Sequence, residues 1–287
     1  MEARQMARTV GFIGSGTLAN VLIKGMIKAG SARAEDIVAS DVDADRLSRL
    51  VEETGIRAAR SNKAVVDAAG VLFLTVKPQV IDCVVDEVSR HVRADQLVVS
   101  PVAGVTTESL ESAFPRRPRI LRIMPNTPCL VMEGVIAVSI GRHAGPKDVT
   151  ELSELLAPLG KIVTVQEDLM DSVTALSGSG PAFVYTMIEA LADGGVRVGF
   201  SRSVALQLAA QTVLGAAKMV LETGSHPACL RDMVTSPGGT AIAGLHALER
   251  GSLRASIMDA VVAAAERSKE LGQILAEERK KARELLA

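Results

Sequence analysis

Two glycine-bearing stretches, more than two hundred residues apart, carry residue types that can grip anions. The first, VGFIGSGTLA, gives Gly14-x-Gly16-x-x-Ala19 between an apolar run of strand type and a helical pattern. In that setting Gly14 permits a tight turn, Gly16 lets a pyrophosphate reach the backbone, and Ala19 lets the helix pack on the strand. N–H groups at the helix start, with the positive end of its dipole, would face the phosphates. The second, TSPGGTAIAGLHALERG, sets Ser236, Pro237, Gly238, Gly239 and Thr240 ahead of a helical run. Consecutive N–H groups of Gly238, Gly239 and Thr240 would form a nest for a small carboxylate, with Ser236 and Thr240 adding hydroxyl donors. An ordinary helix cap is the other reading. Two adjacent glycines are costly in a plain cap, which favours the ligand.

Other candidates are single residues. Asp41 ends the second apolar run, 25 residues after Gly16. An acid there can accept from a ribose with free hydroxyls and repel a 2′-phosphate, which slightly favours NADH over NADPH. It can equally cap the helix that starts near Asp43, while Arg46 and Lys63 can accommodate a phosphate. Val76-Lys77-Pro78 and Ala103-Gly104 follow the strand-type runs VLFLTV and LVVSPVA, where ligands of open α/β sheets sit. Lys77 also reads as a surface charge beside a helix-starting proline. Glu167 can favour a protonated substrate nitrogen or act as a hinge acid bonded to backbone. LSGSGPA (176–182) allows either backbone approach to a ligand or close helix packing. The four histidines are scattered, and no residues have metal-site spacing.

The elements that must position these residues alternate. TVGFI, DIVAS, VLFLTV, LVVSPVA, RILRIM, VIAVSI and KIVTV read as strands covered on both faces. Helical patterns lie between them at 17–29, 43–54, 79–90, 106–114 and 147–157. The alternation predicts a doubly wound, mostly parallel sheet over 1–166. Residues 167–287 then read as an all-α domain rich in Ala, Leu and Met, apolar enough to need a second copy as cover. The charged tail AEERKKARELL reads as a solvated helix end.

Bulk properties narrow the class. The chain has 287 residues, a net charge of −1, no Trp and one Tyr, which argues against nucleic acid and membrane surfaces as partners. No apolar run is expected to reach membrane-spanning length. The three cysteines lie far apart and fit a reducing compartment, as core-filling thiols. The eight residues MEARQMAR are too few for a signal or transit peptide, and a cytoplasmic location is expected.

Eight segments, VGFIGSGTLA, VLFLTVKPQ, SPVAGV, RIMPNTP, ALSGSGPAF, ALADGGVRVG, LGAAKM and TSPGGTAIAGLHALERG, together resemble the pyrroline-5-carboxylate reductase family, in order across nearly the whole chain. The resemblance implies reduction of L-1-pyrroline-5-carboxylate to L-proline by NADH or NADPH, the last step of proline biosynthesis. It implies an N-terminal Rossmann-type domain and a helical domain that interlocks with a partner to form a homodimer, with rings of dimers common in the family. By position it places the cofactor against Ile13, Gly14, Ser15, Gly16, Thr17 and Leu18, Asp41, Asn62, Thr75, Val76, Lys77 and Pro78, and Pro101, Val102 and Ala103. It places the substrate against Glu167, Thr240 and Ala241, with Ser236, Gly238 and Gly239 completing the cradle. The family signature usually reads Ser-Pro-Gly-Gly-x-Thr, and its second threonine points at the substrate nitrogen; here Ala241 stands there. The departure leaves another cyclic imino acid open as substrate, and a non-catalytic nucleotide-binding relative is the third reading.

Overall fold

The computed structural model describes residues 9–286. The first eight, judged too few for a targeting segment, lie outside the described residues. Residues up to 178, with those from 264 onward, form one compact unit, and Ser179–Ala263 form a second. The sequence boundary at 166/167 does not coincide with this division, because 167–178 and the end of the last helix pack with the first unit.

In the first unit eight strands line up in the order β3-β2-β1-β4-β5-β6-β7-β8. They are β1 (Val10–Ile13), β2 (Ile37–Ser40), β3 (Arg57–Ala58), β4 (Val71–Leu74), β5 (Leu97–Ser100), β6 (Arg119–Pro125), β7 (Gly134–Ile140) and β8 (Gly160–Thr164). All seven expected runs are strands. β3 to β6 are parallel throughout, whereas β7 runs antiparallel to β6 and parallel to β8. The pleat sends Phe12 and Phe73 to one face and Ile13, Leu72 and Leu74 to the other, so two apolar layers form. Phe12 and Phe73 stack at 4.7 Å between centroids. Full burial of each such side chain contributes about 1.5–3 kcal/mol.

Helices cover both faces: α1 (Thr17–Ala29), α2 (Ala44–Thr54), α3 (Asn62–Ala68), α4 (Ile81–Val88), α5 (Thr107–Ala113) and α6 (Pro146–Leu156). In α1 the buried Ala19, Leu22, Ile23 and Met26 recur at helical spacing, and Gly30 ends it at φ 72°. Asp43, Ser61 and Thr106 cap α2, α3 and α5 with their side chains. The short α7 (Met170–Val173) runs into a π-helical turn at Thr174–Gly178.

The second unit holds α8 (Gly180–Arg197), α9 (Arg202–Thr223), α10 (Pro227–Met233), α11 (Thr240–Arg250) and the start of α12 (Leu253–Leu286). Its buried cluster consists of Ala192, Ala205 and Ala209, while Tyr185, Leu191, Phe200, Leu206, Leu208 and Leu214 are exposed. Three alanines are too little core for five helices to stand alone. One expectation is corrected: α9, at 22 residues, is long and apolar enough to cross a membrane by length and composition. The thiols also divide, since Cys129 fills core while Cys83 and Cys229 are exposed.

Candidate active site

The carboxyl ends of β1, β2, β4 and β5 bring the expected cofactor residues together in the first unit. Ile13 is buried at the end of β1. Gly14 follows at φ +97°, and a Cβ there would stand 2.7 Å from the Thr75 carbonyl oxygen. No side chain fits that position. The Thr75 hydroxyl donates to the Gly14 carbonyl at 2.7 Å, which ties the turn after β1 to the end of β4. Gly16 is the N-cap of α1 and makes no side-chain cap, and the first turn has no acid. No atom lies within 4 Å of where its Cβ would be. Thr17 is exposed and Leu18 half-buried on this turn. An open helix start with unspent N–H groups fits a dinucleotide pyrophosphate.

Asp41 is bound into the same turn. Its Oδ2 accepts from the Ser15 N–H at 2.6 Å and the Ser15 hydroxyl at 2.8 Å, and its Oδ1 from the Asp43 N–H at 2.9 Å. Arg46 lies 3.7 Å from Oδ2, and the carboxylate is 5% exposed. Burial alone would raise this carboxyl, but the backbone of Asp43, the backbone and hydroxyl of Ser15, and the Arg46 charge hold it below the usual aspartate value. Asp43, not Asp41, caps α2. Asn62 opens α3, accepting from the Ser40 hydroxyl and donating to Glu87, both at 2.7 Å. Val76 is half-buried, and Lys77 is exposed ahead of a 3₁₀ turn with Pro78 at its start. Pro101 and Val102 are buried after β5, and Ala103 is exposed.

Glu167 sits in the first unit with partners the sequence did not suggest. Its carboxylate accepts from the Thr107 N–H at 2.8 Å, from the Thr107 hydroxyl, and from Arg122 at 3.2 Å. Arg122 is 6% exposed, and its Nε is buried without a partner. The acid closes the start of α5 and neutralises a buried cation. An arginine inside the apolar strand RILRIM was the available signal, because a buried charge needs a partner. Asn126 was also passed over. Its amide donates to the Ser177 carbonyl at 3.1 Å in the π-turn and accepts from Val135 N–H at 2.9 Å.

The signature turn belongs to the second unit. Pro237 and Gly238 (φ +67°) form its corners, and the Gly239 N–H closes it on the Ser236 carbonyl at 3.1 Å. That N–H is thereby spent, contrary to its expected place in an anion nest. Gly239 is the N-cap of α11, without a side-chain cap and with no acid in the first turn. A Cβ at Gly239 would stand 2.2 Å from the Ser236 hydroxyl oxygen. The free donors are those of the helix start itself, at Thr240 and Ala241, beside the exposed Ser236 and Thr240.

A doubly wound sheet with an open glycine turn at the end of β1 has the architecture of a dinucleotide-binding domain. Residues 9–104 match the family described as NADP oxidoreductase, coenzyme F420-dependent. Residues 167–271 match pyrroline-5-carboxylate reductase dimerisation. The chain is 47% identical over 264 residues to the pyrroline-5-carboxylate reductase of Methanosarcina acetivorans, covering 92% of this chain and 98% of that protein. It is 44% identical over 277 residues to human pyrroline-5-carboxylate reductase 2, covering 95% and 86%. Among solved structures, the enzyme of Coxiella burnetii superposes with a TM-score of 0.86 at 34% identity, over 92% of this chain and 98% of that one. The Plasmodium falciparum enzyme, solved with NADP bound, gives 0.81 at 30%, over the same shares. The chain belongs to the pyrroline-5-carboxylate reductase family.

Proposed function

We propose that this protein reduces L-1-pyrroline-5-carboxylate to L-proline with NADH or NADPH, closing proline biosynthesis. One observation carries the reading beyond family membership: the uncapped start of α11 behind the Ser236–Gly239 turn, which suits a small carboxylate. When bound, the nicotinamide supplies hydride to the imine carbon. The chain's part is to hold the pyrophosphate at Gly14–Leu18 and the substrate carboxylate at Ser236 and Thr240. Holding each reactant in a fixed pose is what lowers the barrier, by roughly 7–11 kcal/mol at best. Pro101 to Ala103 and Thr75 to Pro78 flank the nicotinamide, and Asn62 helps seat the adenosine half.

Glu167 serves this chemistry by holding Thr107 and Arg122 rather than by touching substrate. The NADH preference argued from Asp41 then rests on its charge, since its oxygens are engaged by the turn and Arg46 offsets part of that charge. Residues 167–287 are the dimerisation and substrate domain, and a second copy covers the exposed apolar side chains of α8 and α9. That cover, rather than lipid, accounts for the composition of α9. Dimers that close into rings and a cytoplasmic location complete the proposal.

Purified protein given L-1-pyrroline-5-carboxylate should oxidise NADH or NADPH, and no turnover with either refutes the assignment. Ala241 is the specific observation behind a second reading, reduction of another cyclic imino acid. Ala241→Thr should raise kcat/KM for pyrroline-5-carboxylate about tenfold, or about 1.4 kcal/mol, if one hydrogen bond is missing. A higher kcat/KM on a different cyclic imine would favour the second reading.

A further inference from the structure

The end of α12 lies beyond the family match, which stops at 271. Ala276, Glu277, Glu278 and Lys281 are exposed, as expected of a solvated helix end, but Leu275 and Arg279 are docked. Leu275 is 8% exposed and joins the apolar layer that contains Val102 and Val105. Arg279 grips Asp82 of α4 with two parallel bonds of 2.5 Å and reaches the Ser109 hydroxyl of α5 at 3.2 Å. Both charged partners are largely buried, at 15% and 21% exposed. About three turns earlier in the helix, Ser268 donates to Asp171 at 2.7 Å.

Between these anchors the helix meets a loop. Gly104 has φ +72°, and a Cβ on it would stand 3.3 Å from the Gly272 Cα and 3.2 Å from Leu275. Gly104 therefore lets the loop backbone approach the helix closely. A side chain there would be strained by its φ and would press on Leu275 and Gly272, whereas a Cβ at Gly272 would make only ordinary contact at 3.8 Å. Gly104 directly follows Pro101, Val102 and Ala103.

We propose that residues 272–279 form a clasp that fixes the Pro101–Gly104 loop, with Leu275 and Arg279 as positioning residues for hydride transfer. The proposal rests on the reading that this loop flanks the nicotinamide. Arg279 fastens the helix to α4 and α5, the elements on either side of β5 in sequence. Leu275 lies against Gly104, 3.2 Å from where a Cβ would stand, and shares an apolar layer with Val102 and Val105. A loosened loop would leave the pyrophosphate grip at Gly14–Leu18 intact and let the nicotinamide wander, so chemistry suffers more than cofactor binding.

The test compares full-length wild type with Arg279→Ala, Leu275→Ala and the charge exchange Asp82→Arg with Arg279→Asp. Amide hydrogen exchange across 101–106 should quicken about tenfold in the two alanine variants. With L-1-pyrroline-5-carboxylate as substrate, kcat should fall about tenfold while the cofactor KM stays within twofold. The isotope effect with cofactor deuterated at the transferred position should rise, because hydride transfer becomes slower than the steps around it. A smaller active fraction would lower kcat and leave that isotope effect unchanged. The charge exchange should recover most of the lost rate. Unaltered exchange at 101–106, or a fall in kcat with a constant isotope effect, overturns the clasp. Lack of turnover by the wild type would instead remove the reading on which it rests, and the exchange data alone would then decide whether the loop is clasped.

Discussion

Asp41→Asn separates two roles for the acid that ends β2. If its carboxylate chiefly braces the glycine turn, the substitution removes one of three hydrogen bonds outright. An amide can keep its oxygen toward Ser15, but its NH2 then faces the Asp43 N–H, where Oδ1 now accepts at 2.9 Å. A hydrogen bond to a charged group contributes about 1.5–3 kcal/mol, and the bonds that survive lose their charge assistance. The half-exposed Arg46 adds little. The expected loss is about 2–3 kcal/mol, or roughly 5–10 °C in Tm at fixed protein concentration. Calorimetry at neutral pH reads it, and titration calorimetry with NADH and NADPH should show both bound more weakly, NADH by the larger factor because the charge that repels a 2′-phosphate is gone. The sign with pH follows from the depressed folded-state pKa. The wild-type advantage is complete above the unfolded aspartate value, about 3.9, and is lost as pH falls below it through the folded value. A variant with unchanged Tm that loses affinity for NADH alone would refute the brace and restore the ribose role.

Two further outcomes follow from the same geometry. Gly14→Ala must adopt φ near +97° against the Thr75 carbonyl, so it should lose at least about 1–3 kcal/mol of stability and most cofactor affinity, read by thermal melts and fluorescence titration. Glu167→Gln leaves Arg122 buried without its countercharge and should cost about 3 kcal/mol, whereas Glu167→Gln combined with Arg122→Met should recover much of that; urea unfolding with no rescue would contradict the pairing.

How much of this was legible depended on whether the cause was local. Six of the seven strand runs and α1 were readable because burial on both faces leaves continuous Val, Ile and Leu, and because apolar spacing in α1 is helical. β8 is a strand but, against the expected cover on both faces, its residues are half-buried or exposed. β3 was not readable, since Arg57 and Ala58 are two exposed residues with no apolar run to betray them. α3 is seven residues long, too short for periodicity, although Ser61 marked its start. The reversal at β7 left a trace that was not used. Only residues 126–133 join β6 to β7, and a parallel crossover needs a dozen or more. At the site, both glycine turns were visible because only glycine permits those backbones. The partners of Asp41, Glu167 and Arg279 were not, because each is chosen by the folded chain. Arg279 and Asp82 lie 197 positions apart, and a tail rich in Glu, Lys and Arg looks the same whether one arginine is docked or none.

Helix starts carry the distinction between structure and ligand in this chain. Asp43, Ser61, Thr106 and Ser201 each lend an oxygen to the N–H groups of the helix they precede, so those ends are closed. Gly145 ahead of α6 resembles the ligand-facing glycines in sequence, yet Asp148 returns its carboxylate to the Gly145 N–H at 2.7 Å and closes that end too. Gly16 and Gly239 differ from all of these, as does Ser179 ahead of the 18-residue α8, which likewise lacks a side-chain cap and a first-turn acid, so the open end is required of a ligand site without being peculiar to one. Neither helix behind the two glycines has a side-chain cap or an acid in its first turn, and both are long enough to carry a full dipole. An acid at either place would stabilise the helix and repel an anion. Its absence from both starts is what a pyrophosphate at α1 and a carboxylate at α11 require.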